Sequence, residues 1–199
     1  GKTAVAEGFA QRIARGDVPP SLKDVQLLAL DVGLLQAGAS MKGEFEQRLR
    51  SVIEEVQASE QPVVLFIDET HTLVGAGGAA GTGDAANLLK PALARGSLRT
   101  LGATTFSEYK KHIEKDSALV RRFQKVILKE PTYEETTEIL NNLSPSYEDY
   151  HKVSYGEDVI DTIVLLSDRY ITDRQFPDKA IDILDELGSE KKVSTKVPE

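Results

Sequence analysis

The chain has 199 residues, a formal net charge of -8, 40% hydrophobic and 28% charged residues, and no cysteine. This composition suits one folded domain, or a larger and a smaller one; it excludes disulfides and cysteine-based metal sites and fits a reducing, cytoplasmic compartment. No apolar run reaches the ~18 residues of a membrane span, no basic-then-apolar leader opens the chain, and an acidic balance without a basic stripe argues against nucleic acid as the main partner.

Gly1-Lys2-Thr3 is the last part of the pattern G-x-x-x-x-G-K-[ST]. In that pattern the lysine places a charge on the β- and γ-phosphates and the hydroxyl holds Mg²⁺. Three residues arise by chance in many proteins. The stretch that follows adds weight, because Thr3–Arg15 predicts a helix with Val5, Phe9 and Ile13 on one face, and phosphate loops feed helix N-termini. Gly16-Asp17-Val18-Pro19-Pro20 ends that helix. Val25–Leu30 predicts a short buried strand. After the small residues Ala37-Gly38-Ala39-Ser40, Gly43 to about Ala58 predicts an amphipathic helix with the stripe Phe45, Leu49, Val52, Ile53 and Val56.

Val63–Ile67 is the most apolar run and predicts a central parallel strand, covered on both faces. It delivers Asp68-Glu69 at its C-terminal edge, where such sheets bind ligands. Asp68 is the candidate for the Mg²⁺ shell and Glu69 for orienting or deprotonating an attacking water. The bland alternative is a pair of helix-capping acids after a core strand. Gly75–Gly83 has too little side chain to pack and predicts a flexible loop. Asp84 is placed to cap a helix that runs to about Ala94.

Leu98–Ala103 predicts another strand, and Gly102-Ala103-Thr104-Thr105 puts hydroxyls at its tip. Arg121-Arg122-Phe123 reads either as a solvated face or as arginines lent to a neighbouring subunit's phosphoryl site. The second reading demands a closed head-to-tail ring. Val126–Leu128 predicts a last strand. His71, His112 and His151 look scattered, without metal-ligand spacing, and a structural role is expected for His71.

Alternating strands and helices predict a parallel α/β sheet. Beyond Pro131 the character changes. Thr132-x-x-Glu135 is a capping box, Asp158–Tyr170 and Asp178 to about Leu187 predict helices, and Tyr147 and Tyr150 are expected to pack. The expected organisation is an α/β part over 1–130, a small helical part over 131–190, and a polar tail over 191–199 leading to a further segment.

With these motifs in hand, the chain resembles the AAA+ superfamily, and within it the Clp unfoldases. Leu65-Phe66-Ile67-Asp68-Glu69-Thr70-His71-Thr72-Leu73-Val74-Gly75-Ala76-Gly77 is similar to the second Clp nucleotide motif and the loop beyond it. Asn87-Leu88-Leu89-Lys90-Pro91-Ala92-Leu93-Ala94-Arg95-Gly96 resembles the next Clp helix, and Ile113-Glu114-Lys115-Asp116 leading to Arg121-Arg122-Phe123 resembles the arginine-finger segment. Tyr170–Arg174 and Pro177–Asp182 resemble the small domain of the first of two Clp ATPase modules. The resemblance implies a three-layer α/β/α P-loop domain followed by a helical lid, in a homo-hexamer that binds ATP and Mg²⁺ and pulls a polypeptide through its pore.

Site roles carried by the resemblance follow. Gly1, Lys2, Thr3 and Asp68 would hold nucleotide, with Thr3 and Asp68 on Mg²⁺. Glu69 would serve the water, Thr105 would be the sensor, and Arg121 and Arg122 would reach the adjacent subunit's nucleotide. Ala37–Phe45 matches the pore loop, with Met41, Lys42 and Gly43 at its grip. Met41 stands where the general Clp loop has an aromatic residue; methionine can grip varied apolar side chains or merely pack. Leu34–Ser40, Asp17–Pro20, Thr105–Lys111 and Leu143-Ser144-Pro145 resemble the ClpV (TssH) branch, which disassembles the type VI secretion sheath, while Ile171–Asp185 is equally similar to ClpB or ClpC.

Three function classes remain in play. A protein-remodelling motor leads, whether for sheath disassembly, disaggregation or unfolding for a protease. A nucleic-acid motor or loader on the same core is the rival from another class. A catalytically dead scaffold is the third, and Glu69 beside Asp68 speaks against it. Because the front of the phosphate loop is not in this sequence, the isolated chain is expected to bind ATP poorly and hydrolyse little.

Overall fold

The structure is a computed structural model that describes residues 1–39, 43–74 and 83–194. Met41 and Lys42, expected in the pore loop, and the glycine-rich stretch over 75–82 lie outside the described residues. The chain divides into two compact units, one over residues 2–126 and one from Ile127 onward.

The first unit runs α1 (Lys2–Ala14), a 3-10 turn at Pro20–Leu22, β1 (Gln26–Leu30), α2 (Val32–Gln36), α3 (Glu44–Ala58), β2 (Val63–Ile67), α4 (His71–Val74), α5 (Gly83–Ala94), β3 (Arg99–Gly102), α6 (Phe106–Glu108), a π-turn at Tyr109–Ile113 and α7 (Ser117–Val120). The three strands form one parallel sheet in the order β1-β2-β3. Gln26 pairs with Val63 and Leu30 with Ile67, while Ile67 pairs with Gly102.

All five residues of β2 are buried, as an unbroken apolar run requires when both faces of a parallel sheet are covered. Alternation divides its side chains between two layers. Leu65 and Ile67 join Phe45, Leu49 and Ile53 of α3 and Leu89 of α5 in the main core. Phe66 points the other way, onto Ala6 of α1 and Ala103. Helices therefore lie on both faces, giving three α/β/α layers.

Three expectations need correction. The first strand is not buried: Leu28 and Ala29 of β1 are exposed, because β1 borders the sheet and only β2 is flanked on both sides. Val126–Leu128 is not a strand. Val126 and Ile127 are 77% and 62% exposed, and no described strand pairs with them, so there is no hydrogen-bond ladder to define one. Asp84 lies inside the first turn of α5 rather than before it.

The second unit is helical: α8 (Tyr133–His151), α9 (Glu157–Tyr170) and α10 (Asp178–Ser194). Thr132 Oγ1 accepts from Glu135 N at 3.2 Å and Glu135 Oε2 accepts from Thr132 N at 2.9 Å, the reciprocal box that opens α8. Leu140, Ile160, Ile163, Val164, Phe176, Ala180 and Leu184 form the core, with Tyr147 packed against it. Tyr150 instead stays 73% exposed and sets its ring edge-on to His151. Pro145 sits inside α8 and cannot donate to the carbonyl of Asn141; Ser144 Oγ donates to that oxygen at 3.1 Å. Helix α10 outruns its expected end by seven residues and takes in Lys191.

Candidate functional site

The chain leaves β2 at Ile67 and is tied at once to the tip of β3. Ala103 N donates to Ile67 O and Thr70 N to Ala103 O, both at 2.9 Å. Thr70 Oγ1 donates back to Ile67 O at 2.8 Å. Between these ties, Asp68 and Glu69 project from the C-terminal edge of the sheet. Glu69 has φ of 49°, a left-handed conformation that costs a non-glycine residue roughly 1–3 kcal/mol and persists only where surrounding contacts fix it.

Helix α1 points its first turn at the same edge. Thr3 Oγ1 donates to Asp68 Oδ2 at 3.4 Å, and Asp68 Oδ1 accepts from Glu69 N at 2.9 Å. A hydroxyl and a carboxylate at this separation, beside a helix N-terminus, are hard oxygen donors of the kind that hold Mg²⁺ next to phosphate. Lys2 is the first residue of α1 and makes no ion pair among the described residues. Gly1 directly precedes it. A cavity of about 450 Å³ adjoins this edge, with Phe66, Asp68, Glu69 and Thr72 on one side and Asp31 and Gln36 on the other.

At the tip of β3 the hydroxyls of Thr104 and Thr105 do different things. Thr105 Oγ1 accepts from Glu108 N at 3.2 Å and caps α6. Thr104 Oγ1 hydrogen-bonds His71 Nδ1 at 2.8 Å. The other ring nitrogen of His71, Nε2, lies 3.3 Å from Glu69 Oε2.

Arg121 and Arg122 follow α7 and are exposed; neither forms an ion pair among the described residues. What is fixed is their base. Leu119 is wholly buried in the main core. Asp116 Oδ1 accepts from Ala118 N at 3.1 Å and Leu119 N at 3.2 Å, capping α7, and Asp116 Oδ2 pairs with Lys90 of α5. That hydrogen bond from Lys90, helped by the two backbone amides, holds the Asp116 carboxyl below the usual carboxylate range against the opposing effect of burial.

Two features flank the start of α3. Gly43 takes φ of 98° at the N-cap of α3, where only glycine turns without strain. Arg48 reaches back to donate to Leu35 O at 3.1 Å and Ala37 O at 2.7 Å.

Residues 1–131 match the family described as "ATPase family associated with various cellular activities (AAA)", and residues 132–199 match the AAA lid domain. The chain belongs to the AAA ATPase family. This AAA chain is 66% identical over 185 residues to the AAA+ ATPase ClpV1 of Pseudomonas aeruginosa, covering 93% of the chain and 20% of that protein. It is 59% identical over 189 residues to the chaperone protein ClpB of Rhizobium meliloti, covering 95% of the chain and 22% of that protein. Among solved structures it superimposes on the Hsp104–ADP complex of S. cerevisiae with a TM-score of 0.87 and 45% identity, covering 98% of this chain and 33% of that one. A complex of the same Hsp104 with casein gives a TM-score of 0.86. The AAA chain thus spans about a fifth of the curated relatives it matches, and its kinship is with Clp-type AAA+ ATPases.

Sequence reasoning missed the histidine cluster. The expectation of scattered histidines is overturned for two of the three: the rings of His71 and His112 stack at 6.2 Å, and Glu108 Oε2 lies 3.1 Å from His112 Nε2 and 4.0 Å from His71 Nε2. The i,i+4 spacing of Glu108 and His112 was a usable signal. The approach of His71 was not, because it depends on how α4 lies against the π-turn.

Proposed function

We propose that this AAA module hydrolyses ATP with Mg²⁺ and that the protein carrying it is a hexameric motor that threads polypeptide through a central pore. The observation that carries the catalytic reading is the approach of Thr3 to Asp68 at 3.4 Å, with Glu69 next along the chain. Lys2 and Gly1 would cradle the phosphates. Thr3 and Asp68 would hold Mg²⁺, which neutralises charge on the phosphate oxygens when bound. Glu69 would orient the attacking water and take its proton, and Thr105 would sense the terminal phosphate.

Arg121 and Arg122, exposed on a fixed base, suit donation to the nucleotide of a neighbouring subunit, where such an arginine stabilises transition-state charge. Met41, Lys42 and Gly43 would grip the threaded chain, and the two hydrogen bonds from Arg48 of α3 to Leu35 O and Ala37 O, just upstream, support a loop that bears load. Likeness to ClpV1 supports type VI sheath subunits as the polypeptide; likeness to ClpB and to the Hsp104–casein complex supports a disaggregase. A cytoplasmic location would suit either.

The test is Glu69→Gln in the full-length protein. ATP should still bind while turnover falls by at least about a hundredfold. Unchanged turnover would remove Glu69 from the mechanism.

A further inference from the structure

Glu69 does not end at its own carboxylate. His71 Nδ1 shares a 2.8 Å hydrogen bond with Thr104 Oγ1, and the other side of the same ring sets Nε2 3.3 Å from Glu69 Oε2. The His71 side chain is only 12% exposed, whereas Glu69 is 54% exposed, so the ring is the fixed member and the carboxylate the movable one. An imidazole nitrogen beside a carboxylate oxygen is favourable only when it carries hydrogen. In the tautomer that places hydrogen on Nε2, Nδ1 accepts from the Thr104 hydroxyl and Nε2–H faces the Glu69 carboxylate. One ring thus links the tip of β2 to the tip of β3, one residue before Thr105.

We propose that His71 is a positioning residue that sets the direction of the Glu69 carboxylate and couples it to the Thr104–Thr105 strand tip. The left-handed backbone at Glu69 fits this role, since φ of 49° fixes where its Cβ points and leaves the remaining torsions to the imidazole. When Thr105 engages a ligand at that edge, any shift of the β3 tip passes through Thr104 and the ring to the carboxylate. The inference rests on Glu69 being the group that handles water.

Three variants of the full-length protein test it, with any second ATPase module silenced. His71→Ala should lower kcat by about a hundredfold, the loss expected of a catalytic group misplaced by about 1 Å. The affinity for a non-hydrolysable ATP analogue, measured by calorimetry, should stay within about twofold, because the polar contacts of His71 go to Thr104, Glu69 and Glu108 rather than to Thr3 or Asp68. His71→Gln, whose amide can donate to Glu69 from nearly the Nε2 position, should recover much of the rate. Thr104→Val keeps the shape, removes the hydroxyl and guards against a folding defect in the alanine variant. It should lower kcat less than His71→Ala does, and combining it with His71→Ala should add nothing, since both cut one chain. Additive losses, or a fall in analogue affinity matching the fall in kcat, would overturn the coupling. Full activity of His71→Ala beside an inactive Glu69→Gln would reject the positioning role while leaving Glu69 in place; full activity of Glu69→Gln would reject the catalytic reading itself.

Discussion

Asp116 holds the base of the two exposed arginines with a single carboxylate that serves two neighbours, and replacing it separates the two services. Asparagine keeps an oxygen for the amides of Ala118 and Leu119 and is as good an N-cap as aspartate, but gives up the ion pair with Lys90. Alanine gives up both. A hydrogen bond to a charged group contributes about 1.5–3 kcal/mol when well shielded and less when solvated. With the Asp116 side chain 24% exposed and that of Lys90 31% exposed, we expect Asp116→Asn to cost about 1 kcal/mol. Losing the cap adds about 1 kcal/mol, so Asp116→Ala should cost about 2 kcal/mol.

Urea unfolding of the full-length protein, followed by a probe placed in the first unit, measures both losses. The pH dependence checks the cause. The folded Asp116 carboxyl titrates below its ordinary value, so its contribution is complete above about pH 4 and disappears as pH falls from there through the depressed folded value. The gap between wild type and Asp116→Asn should therefore close on acidification. A gap that does not narrow on acidification, or equal stability of all three proteins at pH 7, would refute the assignment. ATP turnover should fall in the alanine variant if Arg121 and Arg122 depend on this base.

Two further outcomes are expected. Gly188→Ala would place a methyl 2.6 Å from His151 Cδ2 and press on the Tyr155 hydroxyl; overpacking of this kind costs about 1–3 kcal/mol, visible as a lowered urea midpoint for the helical unit. Arg48→Met removes the Nη1 donor shared by Leu35 O and Ala37 O while keeping much of the aliphatic stem, so substrate-stimulated ATP turnover should drop while basal turnover stays unchanged. Equal loss of both rates would argue that Arg48 acts through stability alone.

Much of this was legible in the residues. Val63–Ile67 could only be a doubly covered strand, and Asp68-Glu69 had to emerge at its tip. The Thr132–Glu135 box marked the start of α8 to the residue, because capping is local chemistry. What could not be read was whatever depended on a neighbour. Val126–Leu128 has the composition of a strand, but strandhood belongs to a ladder and not to three residues. Burial of β1 failed for the same reason: its place at the border of the sheet is a property of order, not of sequence. The link from Thr104 through His71 to Glu69 joins positions 35 residues apart, and its only local sign was a histidine two residues after the second acid.

The three strands run in one direction, so the sheet has a working rim and an idle one. Asp68, Glu69, Thr104 and Thr105 all leave by the same side, while the opposite side carries connections, with Pro62 O accepting from Gln26 N and Asp24 O accepting from Gln61 Nε2. A fluorophore attached at the exposed Glu60 would ride on the central strand without approaching the chemistry, a convenient handle for following this module while it turns over.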